Sequence, residues 1–328
     1  MKKNIGIAMG GYSSEYQISL KSGKVVCDHL NPELYNIFPL HILKEKWVCV
    51  VDGKEYPINK GDFTVEINKQ TITFDCIFNA IHGTPGEDGH LQGYLSMLNI
   101  PHTSCPMYQA ALTFNKRDLL ATLKPFGIKS ATSFYVNKGQ QIDTKIICEK
   151  VGLPCFVKAN KAGSSFGVSK VYKEEELQQA IDISFKEDDE IIIESFLDGT
   201  EVSVGVIRYH GQVRVLPITE IVSENDFFDY QAKYEGRSKE ITPARISEQM
   251  KNTINAIAKN IYEILKMEGF SRSEFIIVDG IPYLLEMNTI PGLTTESILP
   301  QQAAKAGISL NDLFGNAVEE ALKTDRKF

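Results

Sequence analysis

The sequence predicts a mixed fold in which an open α/β layer is followed by units of α+β character. Residues 5–9 form an apolar run that leads into a glycine-rich turn at residues 10–15. Apolar residues then recur at helical spacing, so this stretch predicts the strand, turn and amphipathic helix of an α/β layer. Farther along, strand-like runs at residues 155–159, 168–172 and 190–194 indicate a second unit of α+β character.

The first third of the chain contains further elements of the same layer. Strands are expected at residues 37–42 and 76–80, and a helix at residues 89–98. Residues 104–106, Ser-Cys-Pro, form a boundary before a helix at residues 116–123. With 328 residues the chain exceeds the size at which one hydrophobic core usually keeps growing, so several subdomains are expected. We predict three, covering residues 1–105, 106–197 and 198–328.

The last third predicts a strand pair, a loop and a long helix. The strands flank Gly211, and the loop of polar and aromatic residues covers residues 224–242. Ser247 can cap the N-terminus of the helix, and Gly269 is expected to end it. The apolar residues of the helix share one face. They are Met250, Ile254, Ile257, Ile261, Ile264 and Leu265.

The charge distribution argues against nucleic acid as a partner, because the net charge is −7 and the 35 lysines and arginines are spread along the chain. No apolar run approaches the roughly 20 residues that a membrane-spanning helix requires. The first residues lead into a strand rather than a signal peptide, so we expect no membrane partner and a cytoplasmic location. The six cysteines include no Cys-x-x-Cys pair and are expected to be reduced.

Glu286 and Asn288 are the strongest candidates for a metal site. Side chains two residues apart on a strand project from one face, about 7 Å apart, and a carboxylate with an amide oxygen suits a hard divalent cation. Glu274 of the preceding strand would lie opposite Glu286 if the hairpin loop is odd, such as residues 279–281. A two-residue turn would instead pair Glu274 with Leu285. The alternative is a solvated hairpin face with ordinary acids.

A second candidate is a loop that could hold phosphate groups. Lys158 lies in a predicted strand, and residues 160–167 contain two glycines and two serines before the chain returns as another strand. Glycines allow close backbone approach, and successive N–H groups with hydroxyls can bind phosphate oxygens. The loop lacks the Gly-Lys-Ser/Thr of a Walker A motif, so it would cover phosphates as a hairpin. Taken alone, such a hairpin is more often an ordinary turn.

Four segments together resemble the D-alanine–D-alanine ligases of the ATP-grasp superfamily, and the resemblance covers nearly the whole chain. Their joint order and spacing are far more specific than any one of them. The segments are residues 10–15, 82–93, 163–168 and 286–294. The resemblance implies an ATP-grasp fold with an N-terminal Rossmann-like open α/β domain. It also implies a homodimer that uses ATP to join two D-alanine molecules for peptidoglycan precursor synthesis.

The resemblance implies where the nucleotide and its metal ions bind. Lysines would contact the phosphates, and two Mg²⁺ ions, or Mn²⁺, would join the phosphates to carboxylates. The residues implied for ATP are Lys116, Lys158, Ser164, Ser165, Glu194, Ser195, Leu197, Glu201, Lys233 and Asn288. The residues implied for the metal ions are Glu274, Glu286 and Asn288. Glu274 stands where aspartate is common in the family, so a small shift of the ion or strand must absorb its extra methylene.

The resemblance implies that Glu15 receives the ammonium group of the first D-alanine. Glu15 would belong to a hydrogen-bonded set with Ser164 and Tyr234, and His82 would lie beside it. Lys233 and Tyr234 would belong to the family's mobile loop, which closes over the acyl phosphate and excludes water. Relatives that make D-alanyl-D-lactate lack the equivalent tyrosine, so Tyr234 favours dipeptide formation.

The resemblance also implies the residues at the second D-alanine. Arg272 and the backbone N–H of Gly292 would stabilise the oxyanion of the tetrahedral intermediate. Ser297 and Ile298 would hold the carboxylate of the second substrate. The implied catalytic set is Glu15, Ser164, Lys233, Tyr234, Arg272 and Gly292.

Other functions of the same fold remain open. A related ligase could take D-lactate or D-serine as its second substrate. An ATP-grasp protein could also bind nucleotide without catalysis, but such a protein should lack some catalytic groups, and this chain retains Glu15, Arg272 and Lys233. A dehydrogenase is rejected because the first βα unit lacks the Gly-x-Gly-x-x-Gly spacing.

Overall fold

The structure, a computed structural model, describes residues 2–163, 167–223 and 238–323. Three β-sheets follow one another along the chain, and nine α-helices of the described residues pack around them. The helices are α1 (Tyr16–His29), α2 (His90–Met97), α3 (Met107–Phe114), α4 (Lys116–Leu123), α5 (Thr144–Val151), α6 (Glu174–Ser184), α7 (Glu248–Ile264), α8 (Ile298–Lys305) and α9 (Leu310–Lys323). The mixed α/β class predicted from the sequence is confirmed.

The first sheet has seven strands in the order β6-β5-β4-β3-β2-β1-β7. They are β1 (Lys3–Gly11), β2 (Tyr35–Leu43), β3 (Trp47–Val51), β4 (Lys54–Asn59), β5 (Thr64–Ile67), β6 (Gln70–Ile72) and β7 (Cys76–Asn79). β1 pairs in parallel with β2 and β7, which confirms the predicted α/β layer. Antiparallel hairpins at residues 54–72 extend this sheet beyond the predicted strands.

β1 is buried on both faces, and this fixes where its carboxyl end points. Ile7 contributes to a core with Phe314 of α9, whereas Ala8 contributes to the core on the opposite face. Because β1 and β7 are parallel, their carboxyl ends lie at the same edge of the sheet. The loop that carries Glu15 and the loop that carries His82 therefore start side by side.

The second sheet has four antiparallel strands in the order β10-β9-β11-β8. They are β8 (Ser133–Asn137), β9 (Cys155–Ala159), β10 (Ser169–Val171) and β11 (Glu190–Ser195). α5 and α6 cover one face, where Val157, Ile181 and Ile193 belong to one buried cluster. β9 and β10 form the hairpin that flanks residues 160–168, so the predicted hairpin is confirmed.

The third sheet contains the candidate metal residues. Its main order is β15-β14-β12-β16-β17, and β13 pairs with β12 around Gly211 as predicted. The strands are β12 (Thr200–Tyr209), β13 (Gln212–Val215), β14 (Thr219–Ser223), β15 (Ser238–Ile241), β16 (Phe270–Val278) and β17 (Ile281–Asn288). α4 and α7 share a buried cluster with one face, where Ile261, Val204 and Phe275 meet. On the opposite face, Ile207 shares a buried cluster with Leu299 of α8, and the same face carries Glu201 and Glu274.

The turn between β16 and β17 differs from its predicted form. It contains only two residues, Asp279 and Gly280, and their φ angles are 49° and 75°. Positive φ at both central positions is the geometry of a tight two-residue hairpin. The predicted odd loop is therefore wrong, and this turn alone would align Glu274 with Leu285.

A β-bulge restores the pairing that the metal hypothesis requires. Phe275 pairs with Leu284, whereas its neighbour Glu274 pairs with Glu286, so Leu285 is an additional residue in β17. The predicted pairing of Glu274 with Glu286 is confirmed, although its cause is a bulge rather than a loop length.

α7 begins as predicted but ends earlier. Ser247 caps it by accepting a hydrogen bond from the backbone of the third helical residue. The helix ends at Ile264, and Lys266 then adopts a φ angle of 51°. Gly269, predicted to end the helix, instead precedes β16, where a side-chain carbon would lie 2.3 Å from Thr103 O. The glycine is needed because two chain segments approach closely there.

The predicted subdomain boundaries after residues 105 and 197 stay a prediction. Two of the hydrophobic cores contain residues from more than one predicted subdomain. α9 packs against β1 and β7, and α4 packs against β17. All six cysteines are free thiols, as expected. No helix among the described residues combines the length and the apolar character needed to cross a bilayer.

Candidate active site

Lys158 and Glu194 form a buried ion pair on neighbouring strands. β9 and β11 pair antiparallel, and Lys158 Nζ lies 2.9 Å from Glu194 Oε2. Burial lowers the pKa of Lys158, but the negative charges of Glu194, Glu286 and Glu201 outweigh burial and raise it. The lysine is therefore protonated at neutral pH. The structure brings these four predicted residues within electrostatic reach of one another.

One carboxylate oxygen of Glu194 is left without a hydrogen bond within the described part of the chain. Its Oε1 atom is buried and has no hydrogen-bond partner among the described residues. A buried acceptor without a donor costs about 1–3 kcal/mol, so a ligand that donates here would remove that cost. The amino group of adenine is such a donor. By contrast, Ser195 Oγ accepts a hydrogen bond from Thr132 N at 3.1 Å, and Leu197 follows in the connection to β12.

Lys116 links the candidate phosphate loop to the candidate metal site. It is the first residue of α4, and its Nζ atom donates to Ala162 O at 2.8 Å and lies 3.1 Å from Glu286 Oε2. Asn160 holds the loop against the same helix, because its side-chain oxygen accepts a hydrogen bond from Arg117 N at 2.9 Å. The loop, α4 and β17 therefore meet at one place.

Arg272 and Glu274 form a second buried ion pair, on one face of β16. Arg272 Nη1 contacts Glu274 Oε1 and also lies 3.3 Å from Ser203 Oγ. Burial lowers the pKa of Arg272, but the negative charges of Glu274, Glu286 and Glu240 raise it above its ordinary value. The guanidinium group is thus charged and held in place before any substrate binds.

Glu274, Glu286 and Asn288 offer oxygen ligands for a hard cation, and in this structure they hold protein groups. Glu286 pairs with Lys116, and Asn288 Oδ1 accepts a hydrogen bond from Ile290 N at 3.1 Å. Within the described ranges there is no group of three or more His, Cys, Asp or Glu side chains that could hold a metal ion. An ion here would need phosphate and water oxygens as further ligands, which is the coordination that Mg²⁺ prefers.

Glu15 lies at the edge of the first sheet and faces the candidate phosphate loop. Gly10 and Gly11 precede it with φ angles of 103° and 96°, which other residues rarely adopt. A side-chain carbon on Gly163 would lie 2.7 Å from Glu15 Oε2, so the glycine lets the loop approach the carboxylate. The first and second sheets therefore meet at this buried acid.

His82 connects the same edge to the segment that follows β17. Its Nδ1 atom lies 2.8 Å from Ile290 O, so this nitrogen carries the proton. Its Nε2 atom lies 3.0 Å from Ser22 Oγ, which donates to it and accepts a hydrogen bond from Leu293 N at 3.3 Å. Burial lowers the pKa of His82, and the negative charge of Glu15 opposes that shift. The neutral ring fits both hydrogen bonds.

The segment after β17 also brings Gly292 and Ser297 together. A side-chain carbon on Gly292 would lie 2.6 Å from Ser297 Oγ, and that hydroxyl shares a hydrogen bond of 2.8 Å with Thr294 Oγ1. Ser297 precedes α8 without capping it through its side chain, and Ile298 is buried against Ile221. Ser297, predicted for the second substrate, thus lies beside the glycine predicted for the oxyanion.

Three buried polar residues of the site had no predicted role: Ser22, Asn160 and Glu87. Glu87 accepts a hydrogen bond from Gly83 N at 2.9 Å, and its burial, with the charge of Glu15, raises the pKa of Glu87 to about 8. Its position within the motif at residues 82–93 was a signal that could have found it. Ser22 gave no signal, because a serine in a helix becomes informative only when its distant partners are known.

Four predicted residues lie outside the described part of the chain, and their roles stay predictions. They are Ser164, Ser165, Lys233 and Tyr234.

Two protein-family models match the chain. The model described as D-ala D-ala ligase N-terminus matches residues 4–105, and the model described as D-ala D-ala ligase C-terminus matches residues 123–319. The chain belongs to the D-alanine–D-alanine ligase family. Among curated relatives, a D-alanine–D-alanine ligase of Flavobacterium johnsoniae is 66% identical over 98% of this chain and 99% of its own length. A D-alanine–D-alanine ligase of Christiangramia forsetii is 62% identical over 98% of this chain and 99% of its own length.

Solved structures of ligases are similar to this family member over 98% of its length. The VanG D-Ala:D-Ser ligase from Enterococcus faecalis is covered completely, with a TM-score of 0.85 and 28% identity. The D-alanine–D-alanine ligase from Bacillus anthracis complexed with ATP is covered over 98%, with a TM-score of 0.79 and 29% identity. The ATP-grasp fold that the resemblance implied is confirmed by these neighbours.

Replacement of Glu87 by glutamine should change how the stability of this ligase depends on pH. The pKa of Glu87 is about 8 in the folded protein, above its unfolded value, so the folded state binds the extra proton and stability falls as pH rises through this window. Between about pH 5 and pH 7, the wild-type free energy of unfolding should fall about 1.4 kcal/mol per pH unit more steeply than that of Glu87→Gln. Urea unfolding at several pH values measures this slope. Parallel curves for the two proteins would contradict a protonated Glu87.

Proposed function

We propose that this chain joins two D-alanine molecules to D-alanyl-D-alanine, with ATP converted to ADP through an acyl phosphate, for peptidoglycan precursor synthesis. One observation carries the proposal. Three ion pairs lie within electrostatic reach of one another, because Lys158 and Arg272 both interact with Glu286, and they contain the groups that such a reaction needs. The pairs are Lys158–Glu194, Lys116–Glu286 and Arg272–Glu274.

The first half of the reaction depends on holding ATP. The free Oε1 atom of Glu194 would accept the adenine amino group, while Lys116 and Lys158 would neutralise phosphate oxygens. Glu274, Glu286 and Asn288 would hold two Mg²⁺ ions, which would neutralise the charge of the phosphates. The γ-phosphoryl group then moves to the carboxylate of the first D-alanine, a transfer in which positioning and electrostatics dominate.

Glu15 would orient the first D-alanine. Its carboxylate is buried at the sheet edge and lies beside Gly163 of the phosphate loop. An ammonium group bound there would place the substrate between the first sheet and the phosphates. The neutral His82 would line the same pocket without adding a positive charge that repels the ammonium group.

The second half of the reaction would use Arg272 and the N–H of Gly292. The amine of the second D-alanine attacks the acyl phosphate, and negative charge develops on the carbonyl oxygen. Arg272 is already held by Glu274 and Ser203, so it would meet this charge with little reorganisation. The Ser297 hydroxyl, which does not cap α8, would hold the second carboxylate.

A second candidate function is ligation of D-alanine to D-serine. The D-Ala:D-Ser ligase named among the structural neighbours has a TM-score of 0.85 to this chain, so the fold does not distinguish the two products. The sequence argument from Tyr234 favours an amino acid over D-lactate. Identification of the product with each acceptor separates these functions.

We further propose a cytoplasmic homodimer, because the substrates of the reaction are cytoplasmic metabolites and the family resemblance implies two subunits. Analytical ultracentrifugation should give twice the mass of one chain at micromolar concentration. A species with the mass of one chain at all concentrations would contradict the dimer.

The ligase function predicts ADP release that requires D-alanine and Mg²⁺. ADP release and the product should be followed with D-alanine, D-serine and D-lactate, offered alone and in pairs. Glu286→Gln should lower the rate at least about 100-fold with little change in thermal unfolding, because the half-buried carboxylate would hold metal rather than the fold. Glu66→Gln, on the exposed face of β5, is the matched control and should be fully active. Wild-type protein without D-alanine-stimulated ADP release would refute the function.

A further inference from the structure

Glu240 of β15 lies on the face of the third sheet that carries the site. It pairs with Ile221, which pairs with Glu201 of β12. Ser203, two residues farther along β12, pairs with Glu274. Directly paired residues share one face of a sheet, and so do residues two apart on one strand. Glu240 therefore projects toward the same space as Glu201 and Glu274.

The side chain of Glu240 is held beside the first turns of α8. Gln301 Nε2 donates to Glu240 Oε2 at 3.1 Å and to Glu296 O at 2.6 Å. Ile221, opposite Glu240, is buried against Ile298 of the same helix. The carboxylate is therefore fixed next to the residues proposed for the second substrate.

The charge of Glu240 acts on Arg272. Burial raises the pKa of Glu240, and the positive charge of Arg272 opposes that shift. Conversely, Glu240 is one of the acids that raise the pKa of Arg272. The hydrogen-bond partner of Glu240, the amide of Gln301, is neutral, whereas Glu274 is engaged in an ion pair with Arg272. Of these two acids, Glu240 is the one left to receive another cation.

We propose that Glu240 recognises the ammonium group of the second amino acid and thereby selects an amine over a hydroxy acid; this rests on the ligase function proposed above. The second substrate arrives as a zwitterion. If Ser297 holds its carboxylate, its nitrogen lies toward the acyl carbon and therefore near Arg272, which repels an ammonium group. A carboxylate on the same face offsets this repulsion. A hydroxy acid such as D-lactate offers no positive charge and gains nothing from Glu240.

The test is Glu240→Gln, which keeps a hydrogen-bond acceptor for Gln301 and removes the charge. The D-alanine concentration that half-saturates the second site should rise about tenfold, as expected for loss of one charge-assisted contact. The KM for ATP should stay within about twofold of the wild-type value, because the residues proposed to bind the nucleotide are unchanged.

A competition between D-alanine and D-lactate as acceptors tests the selectivity of Glu240→Gln. The ratio of depsipeptide to dipeptide should rise about tenfold relative to wild type. Glu240→Asp should restore part of the preference, and Glu66→Gln should leave it unchanged.

Two results would overturn the inference while leaving the ligase function intact. One is wild-type saturation and product ratio in an active Glu240→Gln protein. The other is an equal rise in the half-saturating concentrations of ATP and both D-alanines with a lower melting temperature, because that pattern indicates that Glu240 only supports the packing of α8. A wild-type protein that releases no ADP with D-alanine would instead refute the proposed function itself, and this inference with it.

Discussion

The site depends on one constraint, which is that its buried charges must be paired. Lys158 and Arg272 each lie against a buried carboxylate, and removal of one partner from such a pair typically costs about 3–5 kcal/mol, whereas Lys116 lies against the half-buried Glu286. In this structure the acids proposed to hold metal ions neutralise cations of the same site. ATP with Mg²⁺ would bring both signs of charge, so the cations could turn to phosphate and the carboxylates to metal without leaving any charge unpaired. Binding of ATP with Mg²⁺ would therefore replace one set of paired charges with another.

The same constraint explains why three separate sheets are needed. Glu194 and Lys158 come from the second sheet, Glu274 and Glu286 from the third, and Glu15 from the edge of the first. Tight turns and close backbone contacts bring these elements together. Gly163 lets the phosphate loop approach Glu15, and the bulge in β17 aligns the two metal candidates. Loss of either feature would separate the acyl end of the reaction from its phosphate end.

The sequence predicted a helix or strand correctly where a single hydrophobic periodicity or a single capping residue determines it. The strand–turn–helix at the start, the hairpin around the phosphate loop and the Ser247 cap are examples. The sequence failed to predict the hairpin between β16 and β17, where two local signals compete.

The Asp279-Gly280 pair is a strong signal for a two-residue turn, yet Glu274 also pairs with Glu286, because a bulge accommodates both features. Gly269 was wrongly predicted to end the helix. A glycine is required there because the backbone carbonyl of the distant Thr103 leaves no room for a side chain. The hydrogen bond between His82 and Ser22 joins remote segments, and so does the electrostatic interaction of Glu240 with Arg272. No local pattern encodes either of them.

The central claim is that metal and nucleotide take over these ion pairs together. The most direct measurement is a calorimetric titration of an ATP analogue that cannot transfer its γ-phosphoryl group, performed once in excess Mg²⁺ and once in EDTA. The account predicts binding at least about tenfold tighter with Mg²⁺, because Glu274 and Glu286 would otherwise face the phosphates as uncompensated anions. Equal affinity in the two titrations would contradict it, since the acids would then be structural partners of Arg272 and Lys116 alone.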